Sequence, residues 1–432
     1  MKKIIQIIFM LLFLPSSAYN LEFFTRFNDN YLKDYILEAL VNNHSLKEAD
    51  KRVEQYRYEI NSAFSKEFPT LSVSGSYLGT HVPNGDFNVF MKKNSFVMPF
   101  RVNYEPDILL KTKDKINSKK YLYKSSLANQ KAVYLALLGD VASGYLNILL
   151  YDFLIEKQKE ILNAKEKKLK FNYNKLYFGV IDKFNLNLEE EEFNAQQLIY
   201  DTLIKNQQTA IYNFALLLGR SCENNTPIKR GNFSEFEYLG IIPDTINSDI
   251  IYLRPDLIEI ENKIKSAKLD ITAAKKDFFP SFNITAFLAF DTAGGGNFFA
   301  WNSAFAYLIA GATQDLFKGG EKIAALKIKR AKFYELVEKY KQTNLTAIKE
   351  ISNALNIIKQ DTKNEKTSKA QLDLERKNFL ISAKKFQRGI ISNTDYLDNK
   401  NSFIQQEQIS AYSKAARICD YITLYKALGG EL

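Results

Sequence analysis

Two short stretches, FGVIDKFNL (Phe178–Leu186) and RGIISNTDYL (Arg388–Leu397), each set a single glycine between long runs with helical spacing of apolar residues. Gly389 lies 210 residues after Gly179. The flanks decide whether that spacing is coincidence or duplication. HSLKEADKRVEQYRYEINSAFSKEFP (44–69) aligns with PDLIEIENKIKSAKLDITAAKKDFFP (255–280), so that Leu46, Glu48, Val53, Ile60 and Ala63 meet Leu257, Glu259, Ile264, Ile271 and Ala274. Phe68-Pro69 meets Phe279-Pro280, and LLLGR at Leu216–Arg220 meets KALGG at Lys426–Gly430. Many landmarks at one offset, in one order, mark an internal tandem duplication.

Each copy predicts the same parts. A helix of about 35 residues (near 32–66 and 246–277) ends at Phe-Pro, because proline excludes its predecessor from helical geometry. Two strand-like runs follow, then a very long helical run (near 107–178 and 317–388), the glycine, and a shorter helix (near 182–218 and 392–428). Leu138, Val141, Tyr145, Leu149 and Phe153 recur three and four apart, as one helix face requires. At 1.5 Å per residue the long runs reach roughly 100 Å, a length the two shorter helices match when placed end to end. The glycines then mark the tips of two helical hairpins.

The first residues read as an export signal over 1–18: MKK, an eleven-residue apolar core IIQIIFMLLFL, and PSSA ending in small residues, with the mature start near Tyr19. That core is too short to span a bilayer, and no later stretch is expected to reach the necessary length. The expected division is 19–220 for the first repeat, 221–245 for a connecting segment and 246–432 for the second repeat. The net charge of +10 falls to +8 without Lys2 and Lys3, and basic and acidic residues alternate along the helices. Solvated faces follow, not a nucleic-acid stripe. Two cysteines, Cys222 and Cys419, make no disulfide scaffold, and no cysteine stands at the cleavage site to take a lipid.

The strand-like runs supply the second constraint. FVMPFRVNY puts Phe96, Met98, Phe100, Val102 and Tyr104 on one face, and SFNITAFLAF puts Phe282, Ile284, Ala286, Leu288 and Phe290 on one face opposite Ser281, Asn283 and Thr285. NSAFAYLIAG alternates Phe305, Tyr307 and Ile309. HVPNGDFNVFMKKN and DTAGGGNFFAW read as loops at their ends. Alternation alone favours a soluble two-hairpin sheet packed on helices. The export signal and the rod-like hairpins turn the reading to transmembrane strands, each about ten residues as a tilted crossing needs. Four strands cannot close a barrel and an open edge cannot face lipid, so subunits must pool them: two chains give eight strands, three give twelve.

With these pieces in place the chain resembles the outer membrane efflux proteins, the TolC-like family of trimeric channel-tunnels, over nearly its whole mature length. FFTRFNDNYLKDYILEALVNNHSLKEA, IIYLRPDLIEIE, FFPSFNITA, DLFKGGEKIAALK and DYITLYKALGGEL carry the resemblance, which leans to the branch serving tripartite drug and metal pumps. It implies a mainly α protein with transmembrane β strands: a homotrimer whose shared barrel in outer-membrane lipid continues into a periplasmic helical barrel. It implies hairpin tips that meet an adaptor on an inner-membrane pump. Gly179 and Gly389 match the tip glycines, Val180 and Ile390 the adaptor-docking residues beside them. Asp395 and Asp398 match the spacing of an acidic pair at the periplasmic entrance.

That pair also has content of its own. Residues three apart share a helix face, and several chains would stack them as carboxylate rings that favour cations and crowd one another toward higher pKa. A solvated helix face near a tip is the plainer reading, and it is the one expected for Glu189–Glu192. Three departures stand out. Phe184, Asn185 and Ile391 replace polar gate-locking residues, Leu110 stands where a glycine is usual although Gly319 and Gly320 are kept, and the lipid-anchoring cysteine of many pump relatives is missing. His44 at a helix start and His81 in a strand loop belong to no acidic or cysteine cluster, and the triple glycine at 294–296 opens no phosphate loop. No enzyme, cofactor or metal site is expected. The two functional readings are a passive outer-membrane duct, for small-molecule efflux or for one-step protein secretion, and a soluble periplasmic coiled-coil scaffold.

Overall fold

In the computed structural model of the chain, residues 21–79, 95–221, 227–242, 248–292, 299–301 and 304–431 are described. The expected signal, His81, Cys222 and most of both strand loops fall outside them. Among the described residues the order is α1 (Glu22–Thr25), α2 (Asn30–Asn42), α3 (His44–Phe64), β1 (Thr70–Val73), β2 (Ser76–Leu78), β3 (Ser95–Tyr104), α4 (Lys111–Tyr177) and α5 (Lys183–Leu217). Then come α6 (Pro255–Lys276), β4 (Ser281–Thr292), β5 (Ala304–Thr313), α7 (Glu321–Gln387) and α8 (Asn393–Ala427). The long helices α4 and α7 have 67 residues each, the returning helices α5 and α8 35 each, so the repeat holds in length as well as in order.

The first helix of each copy is shorter than its apolar spacing predicts. In the first copy Asn43 is extended (φ −60°, ψ 127°) and splits the run into α2 and α3. Its carboxamide oxygen accepts from the Leu46 amide at 3.0 Å and its nitrogen donates to the Leu217 carbonyl at 2.9 Å, so the break joins α3 to the end of α5. In the second copy a 3-10 turn (Ser248–Leu253) precedes Pro255, which opens α6 where its missing N–H costs nothing.

The chain forms two compact units. The first comprises residues up to 49, 130–255 and 344 onward. Its core is aromatic: Phe23 stacks on Tyr425 (4.4 Å between ring centroids), while Phe27, Tyr35, Phe214 and Phe236 are buried around Tyr145. The Tyr145 hydroxyl donates to Asp29 at 3.0 Å and accepts from the Gly231 amide at 2.9 Å, so the polar atom carried into the core is satisfied. The connecting segment packs here too, through the Phe27–Tyr238 bridge and through Glu237, which pairs with Arg417 and Lys414 of α8. Arg254, just before Pro255, is buried and donates to the Ala427 carbonyl (2.7 Å) and to Glu350 (2.8 Å), fastening the end of α8. Contrary to the expectation from sequence, α4 does hold an 18-residue stretch apolar enough to span a membrane, with mean hydropathy 1.6. Of that stretch 67% is buried inside the protein: it is core. Cys419 is a free thiol, pushed up to about 11 by burial.

The second unit comprises 50–129 and 256–343 and holds one antiparallel sheet. β3, β4 and β5 are consecutive neighbours, and β1 and β2 lie end to end against β3 in a single register. The gap between them faces Pro99. The Ser74 amide donates to the Pro99 carbonyl at 3.2 Å, but proline has no N–H to return the bond. The sheet thus has four strand positions and, among the described residues, two unpaired edges.

The register sorts the side chains into two unlike faces. One carries Leu71, Val73, Phe96, Met98, Phe100, Val102, Phe282, Ile284, Ala286, Leu288, Ala306 and Leu308, all apolar, with Leu71 and Leu308 each 72% exposed. The other carries Ser72, Asn103, Asn283, Thr285 and both charged residues of the described strands, Arg101 and Asp291. β5 keeps the alternation read from sequence, and pairing adds the face. Phe305, Tyr307 and Ile309 lie opposite Ala289, Phe287 and Thr285, on the polar face, while its alanines and Leu308 join the apolar one. Alternation reveals two faces of a strand but not which neighbour each face joins; pairing decides that.

Candidate functional site

The two hairpin tips lie in the first unit and are built alike. α4 ends at Tyr177 and α7 at Gln387, and in both a glycine with φ +70° follows, a conformation that any side chain would strain. The Val180 amide reaches back to the Lys175 carbonyl (2.8 Å) and the Gly179 amide to Leu176 (2.9 Å). In the other tip Ile390 reaches Lys385 and Gly389 reaches Phe386, both at 2.9 Å. These paired bonds satisfy carbonyls left open at a helix end. The returning helices start on side-chain caps: Asp182 accepts from the Asn185 amide at 2.8 Å, Ser392 from the Asp395 amide at 3.0 Å. A Cβ on either glycine would meet nothing within 4 Å, so backbone conformation and not crowding selects glycine there.

The surfaces of the tips differ. The first exposes Tyr177 (84%), Phe178, Val180 and Phe184, with Tyr177 and Phe178 edge to face at 5.2 Å. The second exposes Ile390 beside Arg388. Tyr177 and Phe178 were given no role from sequence, and Phe184 stood out only as a departure from the family's gate-locking pattern; their position at a helix end makes all three solvent-facing.

Asp395 and Asp398 share a helix turn but do different work. Asp395 closes a capping box, its carboxylate accepting from the Ser392 amide at 3.2 Å. The Ser392 hydroxyl and amide hold it below the ordinary carboxylate value. The crowding expected of stacked rings belongs to an assembly of several chains, and within one chain these hydrogen bonds set the direction. Asp398 points at α4, where the Lys168 ammonium sits 3.0 Å away and Lys165 3.7 Å. The same lysines reach α5: Lys168 to Glu189 at 2.9 Å, Lys165 to Glu192 at 2.6 Å. Both side chains are largely buried, at 7% and 10% exposure, and would be costly there unpaired. Burial pulls the Lys168 ammonium toward lower pKa, but its bonds to Glu189 and Asp398 outweigh that and raise it above the ordinary value.

One expectation changes here. Glu189–Glu192 is not simply a solvated face, since Glu189, Glu190 and Glu192 are bonded to Lys168, Tyr173 and Lys165. Ion pairs tie α8 to α4 one turn further in, through Asp398, Lys165 and Lys168 and not through Phe184, Asn185 or Ile391. Lys157–Glu407 (2.9 Å) extends the α4–α8 cross-links inward.

The chain matches the outer membrane efflux protein family over residues 35–220 and 248–430, in two blocks. The chain belongs to this family. It is 24% identical over 412 residues to the toluene efflux pump outer membrane protein TtgC of Pseudomonas putida, covering 94% of this chain and 84% of that one. It is 25% identical over 413 residues to the cation efflux system protein CusC of Escherichia coli, covering 94% and 88%. Its backbone is similar to that of the Campylobacter jejuni CmeC outer membrane channel, with TM-score 0.84 at 21% identity over 96% of this chain and 88% of that one. The fold of this family member is therefore the outer-membrane channel-tunnel fold.

Proposed function

We propose that this chain is the outer-membrane duct of a tripartite efflux system, a passive exit for small molecules driven by an inner-membrane pump through a periplasmic adaptor. The observation that carries the reading is the sheet. Among the described residues one face is mainly apolar and carries no charge, the other holds both strand charges, and two edges lie open. In lipid neither edge can stay unpaired. A homotrimer joins the strands of three copies into one closed barrel, apolar face to the membrane, Arg101 and Asp291 to the bore. The efflux roles named for the relatives agree with this use.

In this reading residues 1–18 are the export signal, 19–220 and 246–432 the two copies, and 221–245 the segment joining them. The tips meet the adaptor: Gly179 with Val180, widened by Tyr177, Phe178 and Phe184, and Gly389 with Ile390. Asp395 and Asp398 guard the periplasmic entrance in different ways, Asp395 by shaping the tip and Asp398 by tying α8 to α4. Opening breaks the Asp398 contacts to Lys165 and Lys168, while the glutamates of α5 keep the lysines paired.

Single-channel conductance of the purified protein in a planar bilayer tests this, with Asp398→Asn and Asp395→Asn as variants. Small openings in the parent that become longer-lived in Asp398→Asn, and change less in Asp395→Asn, support duct and lock together. Openings indifferent to Asp398→Asn remove the lock and keep the duct. A folded preparation that fails to insert into lipid removes the duct.

A further inference from the structure

The polar face of the sheet holds a feature that a water-filled bore does not require. Arg101, Phe287 and Tyr307 stand in line across β3, β4 and β5. The Arg101 guanidinium lies over the Phe287 ring, 5.8 Å from its centroid, and Phe287 and Tyr307 are stacked at 4.8 Å with 12° between planes. Phe305, 40% exposed, sets its ring at 6.3 Å from Phe287 and 5.8 Å from Tyr307. The rest of this face mixes small, polar and aliphatic side chains and holds no other aromatic ring of the described strands, and large rings gain nothing from facing water. Arg101 is the one cation of the described strands, and among the described residues it forms no ion pair with a carboxylate.

We propose that Arg101, Phe287, Phe305 and Tyr307 form a binding shelf in the duct wall for planar aromatic anions, aromatic carboxylates above all. The inference rests on the duct reading, which turns this face toward the bore. Phe287 holds the guanidinium flat by a cation–aromatic contact. Its free N–H edge then presents paired donors to a carboxylate. The ligand's ring lies across the outer edges of Phe287 and Tyr307 and against Phe305, in the edge-to-face arrangement that aromatic rings favour. Neither half suffices alone: an aliphatic carboxylate has no ring to stack, and a neutral arene has no charge to pair.

The test is equilibrium binding of 2-naphthoate to the detergent-solubilised full chain, followed by the fluorescence of the ligand, with bilayer conductance measured on the same preparation. Saturable binding is expected, about tenfold weaker in Arg101→Gln and in Phe287→Leu, a loss corresponding to about 1.4 kcal/mol. Cyclohexanecarboxylate should compete poorly. Equal affinity in parent and variants, or equal competition by cyclohexanecarboxylate, overturns the shelf. Conductance without specific binding overturns the shelf and leaves the duct standing. Specific binding by a preparation that does not insert into lipid overturns the duct and leaves the shelf as a ligand site.

Discussion

At the scale of single residues, Leu110 is the position where sequence and backbone conflict. Its φ of +57° belongs to the left-handed region, and the corresponding residues of the second copy, Gly319 and Gly320, adopt the same sign of φ at no steric cost. A side chain there costs roughly 1–2 kcal/mol, part of which glycine returns through the entropy of the unfolded chain. Leu110→Gly should therefore stabilise the protein by about 1 kcal/mol, read as an upward shift of the thermal midpoint. The tips give the opposite case: Gly179→Ala or Gly389→Ala should destabilise by roughly 1 kcal/mol through backbone strain, since space is free for the methyl group. Both conflicts could be read from sequence because a glycine requirement is local. The partners of Asp398 could not. Lys168 stands 230 residues away in the chain, and nothing in the spacing of either residue names the other.

Among elements, helix ends were legible and helix contacts were not. Gly179, Asp182, Gly389 and Ser392 carry their own turn and cap chemistry, so both hairpins could be placed to within a residue or two. The interruption at Asn43 could not, because that break is fixed by the Leu217 carbonyl on another helix. β5 was recognised as a strand but its aromatic residues were assigned no face until pairing with β4 was known. One interhelical contact yields a pH prediction. The Asp420 carboxyl of α8 is raised to about 7, first by burial and then by Asp361 of α7 beside it. A carboxyl whose folded value lies above its unfolded one contributes stability that is complete below about pH 4 and is lost as pH rises toward 7. The thermal midpoint should thus rise on acidification from pH 8 to pH 5 by an increment that Asp420→Asn removes; an unchanged slope in that variant would sink the assignment.

For the whole molecule, the proposed duct makes one chain an incomplete object. Among the described residues its sheet has one face without a charge and two edges without a partner. Solubilised protein should migrate as a trimer in sedimentation and resist dissociation by SDS without heating. A lysine at the middle of the apolar face costs roughly 2–4 kcal/mol in a bilayer, so Leu308→Lys should impair membrane assembly while a lysine at exposed helical Ile328 should not. Recovery of membrane-assembled trimer from the two variants checks this. The expectation of pooled strands came from their length together with the export signal and the rod-like hairpins, since alternation alone describes a soluble sheet as well. Which residues share the polar face came only from register.

The equal limbs of the two copies restrict how this protein can change length. An α-helix turns by about 100° for each residue added. One extra residue between Gln130 and Lys165 would swing Lys165 and Lys168 away from Asp398 unless α8 gained a compensating change. Insertions and deletions should therefore survive as near-whole numbers of turns, about seven residues at a time, and occur in both limbs of a hairpin together. The length of the molecule is in this sense quantised, and it is inherited by both copies at once.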